Sequence, residues 1–223
     1  VNVNKKNLGT ITSQDIEWDT VQKVYDDNNQ LQLSGHVKAA KGRIGSDHIN
    51  ITATATLDGK DVGNHHTTLS NINITGFDKY SFTESLTSGP DVTITKKDAH
   101  LSIKDITVEY GSNEWKALSS GHFPTSLLDN LNIDEDVKDF LKKNGVENYL
   151  EATFTGGKYY VGNNANAITL SLKQASVGNW NLILDDASAD INVTASTMND
   201  QKIQSKIKVK DSDNSSVYKS GNT

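Results

Sequence analysis

The sequence has no cysteine and only two prolines and one methionine among its 223 residues. Without cysteine the chain can form neither a disulfide nor a thiolate-bound zinc site, and its cellular compartment stays open on this evidence alone. Long apolar runs are missing too, since none approaches the roughly 18 residues that a membrane-spanning helix needs. We therefore predict that these residues contain no membrane span.

Basic charge is also scarce. The 22 Lys and Arg residues are outnumbered by 28 Asp and Glu residues, which gives a net charge of −6. A protein that binds nucleic acid needs a basic stripe to neutralise phosphates, and none is present. The lysine pairs at 5–6, 96–97 and 142–143 are interpreted as solvated ends and loops. Nucleic acid is therefore not an expected partner.

Signals for catalysis and for metal binding are missing as well. The chain has no nucleophile elbow and no phosphate-binding loop, so we predict no enzyme activity, no catalytic residue and no cofactor. His65 and His66 are adjacent and would point to opposite faces of a strand, which prevents both from facing one ion. Oxygen ligands for calcium are offered by Asp26, Asp27 and Asn28 and by Asp185, Asp186 and Asp190, but neither set follows an organised calcium loop. No metal site is predicted.

Strand patterns fill most of the chain. The segment HINITATATL at 48–57 alternates apolar and polar residues, and Asp58-Gly59 follows it as a turn signal. One helix is predicted from Asp134 to Asn144, because acids begin it, lysines end it, and its apolar residues recur at helical spacing. The predicted fold is mainly β with one short helix.

The sequence repeats itself. The start VNVNKKNLGTI is matched by VTITKKDAHLSI from Val92, and INVTAS from Ile191 begins a weaker third match. An internal period indicates an array of similar units. We predict two tandem small domains, an all-β unit at 1–97 and an α+β unit at 98–196. Residues 197–223 are either a polar tail or the start of a next repeat. The sequence is thus expected to be a fragment.

A second repeat signal concerns aromatic residues. Val62-Gly63 stands before Tyr80 much as Val161-Gly162 stands before Trp180. Tyr80 and Trp180 are each followed two residues later by an apolar residue, so we predict that both are mostly buried. Two motifs that keep their order and nearly keep their spacing favour the repeat more strongly than either alone.

The repeat resembles a known family. Lys23-Val24-Tyr25-Asp26, with Asp27 in the place of a glycine, resembles the start of a YDG-type repeat. Lys60-Asp61-Val62-Gly63 resembles its lysine-asparagine-valine-glycine centre. The second unit, with ITVEYG, YYVG, GNWNLIL and ADINVTA, resembles the MBG-type domains that accompany YDG repeats in tandem, and it resembles a β-grasp. The resemblance implies a large secreted surface protein of Gram-positive bacteria, often an adhesin of lactic acid bacteria, attached to the cell wall through regions outside this sequence.

The expected function follows from that setting. The chain is expected to be a non-catalytic spacer or stalk, or to adhere weakly to host or microbial glycans or mucin, with neighbouring repeats as further partners. The alternative is a carbohydrate-binding accessory module of an extracellular enzyme. Trp115 lies in a polar segment, 111–124, that also holds His122 and Phe123. We predict that these three residues bind the ligand.

Overall fold

The computed structural model describes residues 4–196. The sequence predictions for Val1, for Val3 and for the segment 197–223 lie outside these residues. Strands predominate, so the prediction of a mainly β fold is confirmed. There are two α-helices in the described range instead of the one predicted: α1 (Asn113–Ser119) and α2 (Glu135–Asn144).

The strands are short and numerous, as expected for a chain rich in turn residues. Those of the first half are β1 (Lys6–Ile11), β2 (Ile16–Trp18), β3 (Gln22–Val24), β4 (Gln30–Val37), β5 (Asn50–Leu57), β6 (Gly63–His65), β7 (Thr67–Thr75), β8 (Tyr80–Glu84) and β9 (Val92–Thr95). Those of the second half are β10 (Lys97–Ile103), β11 (Ile106–Glu109), β12 (Leu131–Asn132), β13 (Leu150–Phe154), β14 (Gly162–Leu172), β15 (Ser176–Val177), β16 (Trp180–Asp186) and β17 (Ser188–Thr194). Short 3₁₀ turns lie at Ser13–Asp15, Ala39–Lys41, Leu127–Asn130 and Val146–Asn148.

The chain divides into two compact units. Of the described residues, unit 1 holds 4–101, 133–149 and 172–185, and unit 2 holds 102–132, 150–171 and 186–196. This border does not coincide with the predicted boundary between residues 97 and 98. The difference arises because α2 and the hairpin of β15 and β16 belong to unit 1. The division of the sequence at residue 98 stays a prediction about repeat units.

Unit 1 is built around the antiparallel sheet β2-β4-β5-β7. The alternation in β5 buries Ile51, Ala53, Ala55 and Leu57 and turns Asn50 and Thr52 to solvent. Strand β1 pairs in parallel with β8, with Lys6 opposite Tyr80. The core between these elements is a set of fully buried residues: Leu8, Ile11, Ile16, Val37, Ile49, Ile51, Tyr80 and Leu86. The predicted burial of Tyr80 is confirmed, with 1% of its surface exposed.

Helix α2 also belongs to unit 1. It begins one residue later than predicted, because Asp134 is its N-cap, and its acidic first turn and basic last turn agree with the macrodipole. Val137 and Leu141 are fully buried, so the predicted apolar face is confirmed. The half-buried Phe140 places its ring 5.4 Å from that of Trp180.

Unit 2 contains the sheet β11-β17-β14-β13, and Ser102 and Ile103 at the end of β10 pair with β12. Helix α1 was not predicted, since residues 111–124 had been interpreted as a polar loop. Ser112 accounts for the helix start, because its Oγ accepts a hydrogen bond from the N–H of Trp115 at 3.0 Å. Leu118 is the only fully buried residue of α1, which leaves too weak a periodic pattern to predict the helix.

Two sets of three strands have the same pairing. In unit 1, β9 lies between β3, which is parallel to it, and β6, which is antiparallel. In unit 2, β17 likewise lies between the parallel β11 and the antiparallel β14. The residues that face one another at the centre of each set correspond: Lys23, Ile94 and Gly63 in the first, Val108, Val193 and Gly162 in the second.

Single hydrogen bonds repeat as well. The N–H of Lys6 donates to the carbonyl of Lys79 at 2.9 Å, and the N–H of Lys97 donates to the carbonyl of Asn179 at 3.0 Å. The matched glycines Gly63 and Gly162 both have φ in the region that side chains avoid, +146° and +117°. The internal repeat of the sequence thus corresponds to a repeated strand pattern. We call residues 5–95 the first copy and residues 96–194 the second copy.

Candidate functional site

The residues that carry the YDG resemblance come together in unit 1. Tyr25 follows β3, and its N–H donates to the carbonyl of Thr95 at 2.9 Å. Its hydroxyl donates to Asp27 at 3.2 Å, and Lys60 pairs with the same carboxylate at 2.6 Å. Lys60 therefore lowers the pKa of Asp27, and Asp27 raises the pKa of Lys60. The start motif and the centre motif of the first copy are joined by this ion pair.

The ring of Tyr25 is covered by a residue of the second copy. Trp180 meets it edge-on, with 5.4 Å between ring centroids and 80° between planes. Tyr25 is 8% exposed and Trp180 is 5% exposed, so the predicted burial of Trp180 is confirmed. Burial, followed by the nearby Asp27 carboxylate, raises the pKa of the Tyr25 hydroxyl. Both residues belong to unit 1, although they come from different copies.

Asn179, just before Trp180, makes two polar contacts with the centre motif of the first copy. Its Oδ1 accepts a hydrogen bond from the N–H of Val62 at 2.9 Å. Its Nδ2 donates to Oδ1 of Asp61 at 2.8 Å. The amide can satisfy both partners at once because it carries an acceptor and a donor on the same group. The turn before β16 is thus held by specific polar bonds as well as by ring packing.

His65 holds the loop that Asn179 contacts. Its Nδ1 lies 2.8 Å from a carboxylate oxygen of Asp58, and its Nε2 lies 2.7 Å from the carbonyl oxygen of Asp61. Only a protonated imidazole can donate from both nitrogens. The Asp61 carbonyl and the Asp58 carboxylate therefore raise the pKa of His65. The loop at 58–62 is organised best when His65 is charged.

The corresponding surface of the second copy is open. Tyr110 occupies the place of Tyr25, since its N–H donates to the carbonyl of Thr194 at 2.9 Å. Its ring is 42% exposed. Trp115, from helix α1, packs against it with 4.6 Å between centroids and a tilt of 47°. The indole N–H of Trp115 donates to the carbonyl of Tyr159 at 2.8 Å.

Two more apolar residues lie directly beyond Tyr159. Tyr160 is 69% exposed and Val161 is 57% exposed, whereas Tyr159 itself is buried. Asn164 fixes the backbone here, with its Oδ1 accepting from the N–H of Tyr160 at 3.3 Å and its Nδ2 donating to the Tyr160 carbonyl at 3.0 Å. We call the set Tyr110, Trp115, Tyr160 and Val161 the unit 2 aromatic surface.

The three predicted ligand-binding residues are placed differently from one another. Trp115 is half-buried on α1 and belongs to the unit 2 aromatic surface. His122 is exposed, and its backbone N–H donates to the carbonyl of Ala117. Phe123 is half-buried and packs against Phe154, with 4.9 Å between centroids. The described contacts pair Phe123 with Phe154, not with Trp115, and ligand binding by the three residues stays a prediction.

Sequence reasoning did not select Tyr110, Tyr160 or Val161 as ligand-binding residues. They lie in the VEYG and YYVG segments, which carry the resemblance between the repeats. The repeat itself held the signal that could have found them. Tyr110 corresponds to Tyr25, which Trp180 of the second copy covers edge-on, and no residue between 4 and 196 covers Tyr110 in that way.

A second candidate site is a shallow cleft of about 470 Å³ in the first copy. Phe77 and Phe82 line it edge-to-face at 5.8 Å between centroids, and Nζ of Lys5 lies 5.9 Å from the Phe77 ring centroid. It combines an apolar wall with a cation and the carboxylate of Glu84. It offers less exposed aromatic area than the unit 2 aromatic surface.

The acids at 26–27 and the adjacent histidines His65 and His66 are bound to protein partners. Asp26 pairs with Lys23 at 2.7 Å, just as Asp27 pairs with Lys60. His66 lies 2.7 Å from a carboxylate oxygen of Asp91. Between residues 4 and 196 there is no group of three or more His, Asp or Glu side chains arranged to hold a metal ion.

The fold defines a mainly β protein in which one strand pattern occurs twice. A YDG domain is found at residues 5–88, which cover the first copy almost completely. Comparison of the chain with curated proteins and with solved structures gives no match. Within residues 4–196, no helix has the length and the apolar character that crossing a bilayer requires.

Proposed function

We propose that the chain is a non-catalytic repeat segment of a bacterial cell-surface adhesin, in which it acts as a spacer or stalk. The YDG domain at residues 5–88 supports this role, because the YDG resemblance implies a large surface protein built from repeats. In this proposal the second copy is an MBG-type repeat of a lactic acid bacterium or a relative. The protein is extracellular and attached to the cell wall through regions outside these residues.

The contact of the two copies within unit 1 is the observation that carries the proposal. Tyr25 and Val62 of the first copy hold Trp180 and Asn179 of the second by ring packing and by a hydrogen bond of 2.9 Å. In repeat proteins, such contacts between neighbouring repeats add to the stability of each repeat. A spacer needs this property, because repeats joined only by a free linker would not hold a fixed separation.

The spacer role is tested by measuring reach on a cell surface. One, two and three copies of the whole chain are placed between a cell-wall anchor and a reporter binding domain. Binding of the reporter to a ligand fixed on large beads is then measured. We expect binding to increase with each copy. The matched control is a Gly/Ser linker of the same number of residues, whose span grows only with about the square root of its length. A reach no greater than that of the linker overturns the proposal.

A second candidate function is weak adhesion to host or microbial glycans, including mucin. The unit 2 aromatic surface favours it, because the exposed rings of Tyr110 and Tyr160 combine an apolar face with a polar hydroxyl group. Asn163 is exposed near Tyr160, and although its Nδ2 is bound to Asp190, its Oδ1 can accept hydrogen bonds from hydroxyl groups. The same surface would serve a carbohydrate-binding accessory module of an extracellular enzyme.

The glycan candidate is tested on an array of host, microbial and plant polysaccharides. Tyr160→Ser removes the most exposed ring and leaves the core untouched, so we expect it to abolish binding. Phe77→Ser, which removes an exposed ring of the first copy, is the matched control and is expected to bind normally. If the protein binds only structural polysaccharides on the array, the accessory module is favoured over the adhesin. Binding that survives Tyr160→Ser excludes this surface.

A further inference from the structure

We propose that the unit 2 aromatic surface is the docking site for the asparagine–tryptophan turn of a further repeat, one whose turn corresponds to residues 178–180. This inference rests on the proposed spacer function, since it requires that another repeat comes after the second copy. It identifies the partner by chemistry: a backbone turn with an amide side chain directly before an indole.

The backbone of the docking site is present twice. Tyr25 and Tyr110 leave their strands with the same hydrogen bond, to Thr95 and to Thr194, each at 2.9 Å. The central glycines face the same position of the last strand in both copies, Ile94 opposite Gly63 and Val193 opposite Gly162. Val161 therefore stands in the place of Val62, whose N–H binds Asn179.

The two sites differ in the groups that cover them. In the first copy the N–H of Val62 donates to Asn179 and the Tyr25 ring is 8% exposed under Trp180. In the second copy the N–H of Val161 donates to no protein acceptor among residues 4–196, and the Tyr110 ring is 42% exposed. Tyr110 follows β11 and Val161 precedes β14, the two strands on either side of β17. Exposed apolar residues at such neighbouring positions, beside an unused backbone donor, are typical of an interaction site. The chemistry of the missing cover is that of Asn179 and Trp180.

Trp115 does not complete the cover. It meets the ring of Tyr110 at a tilt of 47°, whereas Trp180 meets Tyr25 at 80°, and it leaves two fifths of the tyrosine exposed. Its indole N–H is bound to the carbonyl of Tyr159, so the side chain is fixed beside the site. We infer that Trp115 forms one wall of the docking site.

One contact is not conserved between the copies. Tyr160 occupies the place of Asp61, which accepts a hydrogen bond from Nδ2 of Asn179. The docked turn would therefore exchange that bond for burial of the Tyr160 ring. A second molecule of this chain is a poor occupant, because its own Asn179 and Trp180 are already held by Val62 and Tyr25. A repeat added along the same chain has a free turn to offer.

The test uses the full chain with a second copy of residues 98–196 inserted between residues 196 and 197. The insertion reproduces the connection that joins the first copy to the second. In the inserted copy the tyrosines that match Tyr110 and Tyr160 are changed to Phe. Nitration at these positions is then detected only on the original residues. Nitration of tyrosine, read by mass spectrometry, measures their exposure. We expect nitration of Tyr110 to fall about five-fold, the ratio of 42% to 8% exposure.

The control places Asn179→Ala, and separately Trp180→Ala, in the inserted copy alone. Either change is expected to restore nitration of Tyr110, and the Asn179 variant serves if the tryptophan variant fails to fold. If the inserted copy folds and nitration of Tyr110 is unchanged, the docking site is overturned. Trp115 would then be the residue that caps this end of the second copy. That outcome leaves the spacer function intact if reach still grows with copy number. If reach does not grow with copy number although Tyr110 is protected from nitration, the spacer function is overturned and the docking site is retained.

Discussion

Tyr25 and Trp180 pack edge to face at 5.4 Å between ring centroids, although 154 residues separate them in the sequence. The geometry is the one that aromatic pairs prefer, with the positive edge of one ring directed at the negative face of the other. Phe140 of helix α2 adds a second such contact to the Trp180 ring at 5.4 Å. Trp180 thus packs between Tyr25 of the first copy and Phe140 on helix α2 of the second copy, within unit 1.

Truncation of Trp180 should therefore be costly. Trp180→Ala is expected to lower the free energy of unfolding by about 3–5 kcal/mol, the range for large aromatic deletions in a core. Trp180→Phe should cost much less, because the indole N–H of Trp180 has no hydrogen-bond partner among residues 4–196 and no such bond is lost with it. Urea unfolding measures both. Equal losses for the two variants would contradict the packing argument.

Asn179 gives a polar test of the same contact. Asn179→Ala removes the bonds to Val62 and Asp61 and is expected to cost about 1–3 kcal/mol, from two bonds worth about 0.5–1.5 kcal/mol each. Asn181→Ala is the matched control, since Asn181 makes one longer bond of 3.2 Å to Asp98. A double-mutant cycle of Asn179→Ala with Asp61→Ala should show coupling. Additive effects would show that the bond contributes nothing.

The raised pKa of His65 predicts how the stability of the protein changes with pH. Its pKa is higher in the folded protein than in the unfolded chain, where it is about 6.5, so the contribution of His65 is complete below pH 6.5. That contribution is lost as the pH rises through the folded pKa. Melting temperatures of wild type and His65→Gln are compared between pH 6 and 8.5, with His122→Gln as the control. We expect the gap between wild type and His65→Gln to shrink as the pH rises; a gap that widens contradicts the assignment.

Gly76 tests the turn between β7 and β8. It has φ of +78°, and a methyl group there would overlap the carbonyl oxygen of His48. Gly9 has a similar φ of +71°, but a methyl group there would have no described atom within 4 Å apart from those of its chain neighbours. Gly9→Ala is expected to cost about 1–2 kcal/mol, the penalty for a left-handed backbone. Gly76→Ala should cost clearly more. Similar melting temperatures for the two variants would count against the close approach at Gly76.

Local patterns predicted the parts of the fold that short-range chemistry determines. The alternation around Ile51 gave β5, and the charges and apolar face around Val137 gave α2. Helix α1 was missed because a single serine cap and one buried leucine determine it. The parallel pairs β3–β9 and β11–β17 were also not predicted, since the partners are far apart in the sequence and no local signal specifies them.

The candidate site was only partly predictable for a similar reason. Trp115 was found because it stands among polar residues. Tyr110 and Tyr160 were not selected, because the sequence of a repeat motif does not show whether a tyrosine ring is covered or exposed. Tyr25 is covered by a residue of the other copy, Trp180, and the sequence of the first copy alone does not contain that information.

The parallel pairing of β11 and β17 has a mechanical consequence. Ile106 faces Ile191 and Glu109 faces Thr194, so the two strands run the same way over four pairs. A pull on the start of β11 and the end of β17 acts along the strands in opposite directions. All the backbone bonds between them are then loaded in shear at the same moment, whereas an antiparallel hairpin pulled from its two ends opens one pair at a time. β3 and β9 repeat the arrangement, so each copy contains a parallel pair that would resist in shear a pull on the outer ends of its two strands.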